Sequence, residues 1–185
     1  MAPATGKTVS PKRVPGGSAR GGGKVVNKSA DKALRRQLAK LLDWRDAHLS
    51  FNDVVRGWPP KLRGAKPRGA PHTAWQLVEH LRICQWDILD FCRNRSYREM
   101  PFENYWPRAA SPPSPAAWEK SLRGFRAGNK AMQRLVANPK TDLFVSIPWG
   151  SGQTILREAV LVADHNAYHL GQLVLLRRLL GAWKK

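Results

Sequence analysis

A helical pattern near the C-terminus contains the nine residues DHNAYHLGQ, numbered 164–172. The pattern runs over 154–180, where apolar residues recur at intervals of three and four, as they do on one buried face of an α-helix. His165 and His169 are four residues apart, so their imidazoles lie on the same side of this helix. His169 falls on the apolar stripe, which predicts that the pair faces the protein interior.

A third histidine, His80, lies on the inner stripe of another predicted helix, 73–93. Thr73 followed by Gln76 is a capping-box pattern that marks the start of this helix. Bundles build metal sites from inward side chains on facing helices, and three neutral imidazoles leave an open position for water or substrate. A pair of histidines with this spacing more often lies in a core or on a surface without any metal. With a third inward histidine, a metal site and a set of histidines without metal become about equally well supported. The predicted metal ligands are His80, His165 and His169.

Other histidines and nearby polar groups leave alternatives open. His48 falls on the inner stripe of the first predicted helix, where it is a ligand, a support for a ligand or a general base. His72 precedes a helix cap and is interpreted as a loop residue. Cys84 lies on the inner face of the second helix and is either an added thiolate ligand or, more commonly, a small core residue. Asp164 and Glu79 are rotated by about 100° from the ligand candidates and are interpreted as surface or supporting groups.

Four amphipathic segments predict an all-α bundle with long loops. Ser114 and Pro115 suit the start of the third helix, and Gly181 suits the end of the fourth. The segment 142–149 alternates weakly and is interpreted as a short strand or extended piece. The predicted helices span 30–56, 73–93, 115–137 and 154–180. The two longest loops span 57–71 and 94–114.

The first 28 residues are rich in Gly, Pro, Lys and Arg and show no apolar period. Such a segment buries too little surface to offset the entropy of ordering it. We therefore predict two parts, a disordered basic tail at 1–28 and a bundle domain at 29–185. The net charge of the chain is +19, from 32 Lys and Arg against 13 Asp and Glu. The Lys and Arg residues of the tail make it a nucleic-acid-binding arm or, with more weight, a solvated extension.

Three features of the sequence predict a cytoplasmic location. No stretch of 18 apolar residues is present to span a membrane, and the N-terminus has no apolar run of a secretory signal. Cys84 and Cys92 are eight residues apart in one predicted helix, which separates them by about 12 Å along its axis. That distance excludes a disulfide between them, as expected in a reducing compartment.

Two stretches of the sequence resemble the histidine motifs of the DinB-like superfamily (DinB/YfiT-like), a group of metal-binding four-helix-bundle proteins. They are DHNAYHLGQ at 164–172 and WQLVEHL at 75–81, and the ending LLGAW at 179–183 is also similar. The resemblance covers about residues 30–183 and leaves the basic tail outside.

The resemblance implies a fold, a metal and a class of chemistry. The implied fold is an up-down-down-up four-helix bundle. The implied metal is a divalent ion, most often zinc or nickel, bound by the histidine triad carried onto His80, His165 and His169. Characterised relatives include thiol-dependent transferases and an isomerase that uses a low-molecular-weight thiol. The partners that this implies are such a thiol and an electrophilic small molecule.

Two functional hypotheses follow, beside the simpler option of a degenerate homologue with an empty site, and the sequence alone does not decide among them. The first is a metal-dependent thiol transferase or hydrolase, in which the bound ion activates a thiol or water. The alternative is a non-catalytic metal-binding or nucleic-acid-associated accessory bundle with a basic tail. No catalytic residue is assigned under either hypothesis. A homodimer is a reasonable expectation for a bundle with exposed apolar faces.

Several further side chains are candidates to serve the site. Tyr168 is either a hydrogen-bond donor to the site or, with more weight, a residue at the edge of the core. Asn166 is a polar residue at a buried phase of the helix, so it needs a hydrogen-bond partner. The arginines considered for the carboxylates of an anionic thiol, with surface positions as the simpler explanation, are Arg82, Arg157 and Arg177. The loop aromatics considered as a pocket lining are Trp58, Tyr105 and Trp106.

Overall fold

The computed structural model describes residues 27–43 and 45–183, and over this part of the chain the protein is all-α, as predicted. The basic tail predicted at 1–28 lies almost entirely outside the described residues, so the division into tail and domain stays a prediction. The α-helices are α1 (Lys28–Leu41), α2 (Phe51–Val55), α3 (Ala74–Arg93), α4 (Pro115–Ala137) and α5 (Ile155–Leu179). Short 3-10 helices at Pro60–Leu62 and Phe102–Tyr105 interrupt the two long loops.

The ends of the three longest helices follow the predicted signals. The Thr73 side chain accepts a hydrogen bond from the Gln76 backbone N–H, and the Gln76 side chain accepts one from the Thr73 N–H, which is the capping box of α3. Ser114 caps α4 and Pro115 occupies its first position. Gly181 follows the end of α5 with a φ of 63°, a left-handed conformation that glycine adopts without steric cost.

The single helix predicted at 30–56 is wrong: the structure has two helices there, separated by residues 42–50. Ser50 starts α2 with a capping box of its own, in which its side chain accepts from the Asp53 N–H and the Asp53 carboxylate accepts from the Ser50 N–H. Apolar residues on both sides of the break are buried in the structure. The sequence therefore shows a helical spacing of apolar residues even though the segment between the two helices is not helical. His48 lies in this break and is exposed.

The segment 142–149 consists mainly of bends and a turn and forms no strand within the described residues, so the prediction of a short strand or extended piece there is wrong. One isolated antiparallel bridge joins Ser146 to Thr154, and the Ile147 N–H donates to the Gln153 carbonyl at 2.7 Å. Leu143 and Ile147 are buried, so this piece covers one end of the core. Val145, between these two residues, is exposed, so the weak alternation of the sequence does not correspond to burial of every second residue.

The core forms where α3 packs against both α4 and α5, with α1 against α4. One apolar cluster surrounds the buried Trp118 and contains α2 and the first half of α3. A second cluster surrounds Met132 and contains α1 and the first half of α5. The up-down-down-up order of the bundle stays a prediction of the resemblance. None of the helices in the described part of the chain is long and apolar enough to cross a membrane.

Arg177 ties the end of α5 to α2. It is buried, and its guanidinium donates to the backbone carbonyls of Val54 at 2.5 Å, Arg56 at 2.8 Å and Ala182 at 3.0 Å. A buried guanidinium needs such acceptors, because five N–H groups lose their water on burial. The short helix α2 is therefore held at the bundle by a side chain from the opposite end of the sequence.

Candidate metal centre

The structure brings the three predicted histidines together between α3 and α5. The Nε2 atoms of His80 and His165 are 3.1 Å apart, and one ring nitrogen from each of His80, His165 and His169 lies within 4.8 Å of the others. His80 and His169 are each 6% exposed, and His165 is half-buried. His165 and His169 occupy successive turns of α5, while His80 reaches the same point from the first half of α3.

Hydrogen bonds fix the orientation of two of the rings. The Nδ1 of His80 is 2.8 Å from the Tyr105 carbonyl, which can only accept, so this nitrogen carries the hydrogen and Nε2 keeps its lone pair. The Nδ1 of His169 is 2.9 Å from the side-chain oxygen of Gln172, which imposes the same tautomer. Metal-binding histidines are commonly oriented in this way by a hydrogen bond to the second nitrogen.

Burial keeps the cluster in its neutral form. It lowers the pKa of His80 and of His165 to about 4, and the presence of the other imidazoles adds to this effect. Burial also lowers the pKa of His169. The imidazoles are therefore unprotonated at neutral pH, which is the state that coordinates a metal ion.

An aromatic stack forms one wall of the cluster. The Trp106 ring lies 3.7 Å from that of His80 and 3.8 Å from that of His72, and both pairs are nearly parallel. His72 is thus a loop residue, as predicted, but one that contributes to the wall. Trp58, considered with Trp106 for a pocket lining, is instead 2% exposed and packs near Trp118 in the core.

Asp87 anchors the loop that supplies this wall. Its carboxylate is buried and accepts hydrogen bonds from the hydroxyls of Tyr105 at 2.8 Å and Tyr97 at 3.2 Å. Burial raises the pKa of Asp87, and the two tyrosine hydroxyls offset part of that rise. Sequence reasoning missed this residue, although a signal existed: Asp87 lies seven residues after His80 and so shares its helix face.

The remaining neighbours do not join the cluster. Cys84 lies with its Sγ 3.4 Å from the Nδ1 of His80, but burial raises its pKa to about 12, so it is a thiol and fits the predicted core residue. Asp164 is exposed. Glu79 bonds to the guanidinium of Arg82 and to the Ser121 hydroxyl. The placement of His48 on an inner stripe is wrong, because this residue is exposed and its Nδ1 lies 2.9 Å from the Leu49 carbonyl, away from the cluster.

The arginines considered for a cosubstrate carboxylate are engaged elsewhere. Arg82 pairs with Glu79 at 2.6 Å and Arg157 with Glu158 at 2.6 Å. Arg177 is occupied by the three carbonyls at the end of α5. The arrangement therefore favours none of the three as a cosubstrate site.

Of two residues beside the α5 histidines, Tyr168 is exposed and Asn166 is buried. Tyr168 is 65% exposed, with its ring edge-to-face on His169, so the prediction that it lies at the core edge is wrong. Asn166 is buried and its amide N–H donates to the Gln85 side-chain oxygen at 3.0 Å. Gln85 in turn donates to the Phe125 carbonyl at 2.7 Å, so a chain of amides links α5, α3 and α4 next to the cluster.

Comparison with known proteins adds a family to this geometry. A family model described as the DinB superfamily matches residues 34–173. The matched range contains all three clustered histidines, the whole of α3 and α4, and most of α5. No curated protein and no solved structure matches the chain.

Proposed function

This chain belongs to the DinB superfamily, and from that membership we propose that it binds one divalent metal ion, zinc or nickel, at His80, His165 and His169. The observation that carries the proposal is the meeting of three neutral imidazoles from two helices, with one nitrogen of each within 4.8 Å. An ion about 2.1 Å from each nitrogen needs separations of no more than about 4.2 Å, so small rotations of the side chains suffice.

The donor set favours a catalytic site over a structural one. Three histidines leave at least one coordination position for a water or a substrate thiol, whereas structural zinc sites use four protein ligands. An ion held there supplies Lewis acidity, which lowers the pKa of a coordinated water or thiol toward neutrality. The Tyr105 carbonyl and Gln172 hold the ligand tautomers, and the Trp106 ring keeps water from one face of His80.

Elemental analysis of the full-length protein tests the metal site. We expect about one equivalent of zinc or nickel in the unaltered protein and its loss in His80→Ala and His165→Ala. His48→Ala is the matched control, since His48 is exposed and outside the cluster, and it should retain the metal. Equal metal content in all four proteins would overturn the proposal.

For the reaction, we propose a thiol transferase or hydrolase that acts on an electrophilic small molecule. Transfer from a low-molecular-weight thiol is measured with an electrophilic acceptor, and water replaces the thiol in the hydrolysis assay. The rate should fall on addition of a metal chelator and return with added zinc or nickel. A rate that chelation leaves unchanged would contradict a role for the metal.

The net charge of +19 favours a second candidate, a non-catalytic accessory bundle that associates with nucleic acid through its basic tail. Deletion of residues 1–28 tests it in a binding assay at two salt concentrations. Loss of nucleic-acid affinity in the truncated chain, together with no thiol-transfer or hydrolase activity in the full chain, would support the second candidate over the first.

A further inference from the structure

A second concavity, of about 480 Å³, lies between α2, the following loop and the first half of α4. None of the three clustered histidines is among its lining residues, all of which belong to the described part of the chain. Its lining includes the buried rings of Trp58 and Trp118. Four arginines line it: Arg45, Arg56, Arg63 and Arg126.

Two buried donors in this concavity lack an acceptor. Within the described residues, neither the indole Nε1–H of Trp58 nor the Nε–H of Arg63 makes a hydrogen bond. Trp58 is 2% exposed, and the side chain of Arg63 is 12% exposed. Leaving a buried donor unsatisfied is costly in folded proteins. Trp75 Nε1 and Asn166 Oδ1 also lack a partner elsewhere in the described residues, but two such donors belong to the lining of this one concavity, which points to a missing acceptor here.

The charge of the lining residues indicates that the missing acceptor is an anion. Glu119 is the one lining carboxylate, and it reaches the Arg63 guanidinium only at 4.0 Å. Arg56 pairs with Asp53 at 3.1 Å and Arg45 with Asp43 at 3.9 Å, and both carboxylates lie outside the lining. Arg126 bonds to the neutral Asn52 side chain at 2.7 Å. The four arginines therefore exceed the three carboxylates paired with them by one positive charge, and Arg126 has no carboxylate partner among the described residues, which favours an anionic ligand.

We propose that this concavity binds the phosphate group of a small phosphate monoester. A phosphate dianion offers several acceptor oxygens and is the anion best matched to multiple guanidinium forks. The Arg63 guanidinium already lies 4.8 Å from the Trp118 ring centre, so its fork is held in place before a ligand arrives. A recessed site with two buried donors suits a terminal phosphate, whereas a nucleic-acid backbone runs along exposed charges.

The proposal is independent of the metal site, because the two share no residue. Binding of phosphate to the arginine-lined concavity remains possible if the histidine cluster holds no ion. The phosphate proposal fails if phosphate does not bind, whatever the metal content of the protein. The two experiments therefore give separate answers.

Calorimetric titration of the full-length protein with inorganic phosphate, at constant ionic strength in sodium chloride, tests the proposal. We expect saturable binding with one phosphate per chain. Arg126 is exposed, so the Arg126→Gln variant should fold normally. Its phosphate affinity should be about tenfold weaker, as expected for the loss of a charge-assisted hydrogen bond. Arg63→Gln should weaken affinity at least as much. Trp58→Phe, which removes only the N–H, should weaken it several-fold.

The control variant is Arg123→Gln, because Arg123 is exposed on the same helix as Arg126 but does not line the concavity. Its phosphate affinity should stay within about twofold of the unaltered protein. An absence of saturable binding, or equal weakening in Arg123→Gln and Arg126→Gln, would overturn the proposal. So would competition in which an oligothymidylate without a terminal phosphate displaces phosphate more effectively than glycerol phosphate does, because the ligand would then be a nucleic-acid backbone.

Discussion

At the scale of single residues, the histidine cluster depends on what lies behind each ring. The Tyr105 carbonyl and the Gln172 amide oxygen accept from the Nδ1 atoms of His80 and His169, which leaves both Nε2 lone pairs directed away from those acceptors. The acceptors differ in kind, since one is a backbone atom of a loop and the other a side chain one turn further along α5. Only the second can be removed by a substitution.

Gln172→Ala should weaken metal binding by about 10–100-fold, because the ring of His169 loses the acceptor that fixes its tautomer and rotation. Competition against a chelator of known affinity measures the change. Gln172→Glu retains an acceptor and should restore most of the affinity. Gln37→Ala, at an exposed position on α1, should have no effect. If the alanine and glutamate variants bind metal equally, the hydrogen bond does not orient the ring.

The residue pattern was sufficient to predict which histidines meet, but not what supports them. His165 and His169 follow from helical spacing, and His80 follows from the phase of its own apolar stripe. The Tyr105 carbonyl could not be predicted, because every residue has a carbonyl and its direction depends on the loop. Likewise, the stacking of Trp106 depends on how the 94–114 loop returns to the bundle.

At the scale of helices, local capping explains both the successes and the error. Thr73 and Ser114 mark the starts of α3 and α4 in the sequence and in the structure. The sequence pattern did not predict the break between α1 and α2, because candidate inner residues recur at steps of three and four from Leu34 to Val55, while Ser50 begins a new helix among them. An apolar period shows which residues are buried, but it does not show that the chain stays helical between them.

Thr73→Ala should lower the free energy of unfolding by about 2 kcal/mol. Its hydroxyl accepts from the Gln76 N–H and also donates to the Ala110 carbonyl at 2.6 Å, so one substitution removes a cap and a tertiary hydrogen bond. Ser114→Ala removes only a cap and should cost about 0.5–1 kcal/mol. Urea unfolding of both variants gives the comparison. Equal losses would show that the bond to Ala110 contributes nothing.

Arg177→Met should lower the free energy of unfolding by about 3 kcal/mol, because the carbonyls of Val54, Arg56 and Ala182 lose their donor. The neighbouring Arg178→Met is the control, since Arg178 is exposed, and its effect should stay within about 0.5 kcal/mol. Chemical denaturation measures both values. A loss of similar size in the two variants would contradict the role given to Arg177.

At the scale of the whole molecule, the buried imidazoles couple stability to pH. His80 and His165 have pKa values of about 4 in the folded protein, against about 6.5 in an unfolded chain. Between these values the unfolded state binds more protons, so acid favours unfolding. The stabilising contribution of the neutral rings is fully present above pH 6.5 and is lost as the pH falls toward 4.

For the metal-free protein, we expect the free energy of unfolding to fall steadily from pH 6.5 to pH 4. The carboxylates affect stability at lower pH than the histidines do. The pKa of Glu79 is lowered in the folded protein, so its ionised form stabilises the fold above pH 4.5, and this stabilisation is lost as the pH falls below that value. A His80→Gln/His165→Gln variant should show a flatter dependence between pH 6.5 and 4. Urea titrations at half-unit pH intervals measure the slope, and an unchanged slope in the double variant would contradict the assignment.

The wall beside His80 comes from a connecting loop, whereas the histidines come from two packed helices. Trp106 and the Tyr105 carbonyl both belong to 94–114, and Asp87 is the point at which this loop is fastened to α3. Loops tolerate changes in length and composition that helix packing does not. A change in the length of this loop would therefore alter the wall and the orientation of the His80 ring together, while the packing of the two helices that carry the histidines stays as it is.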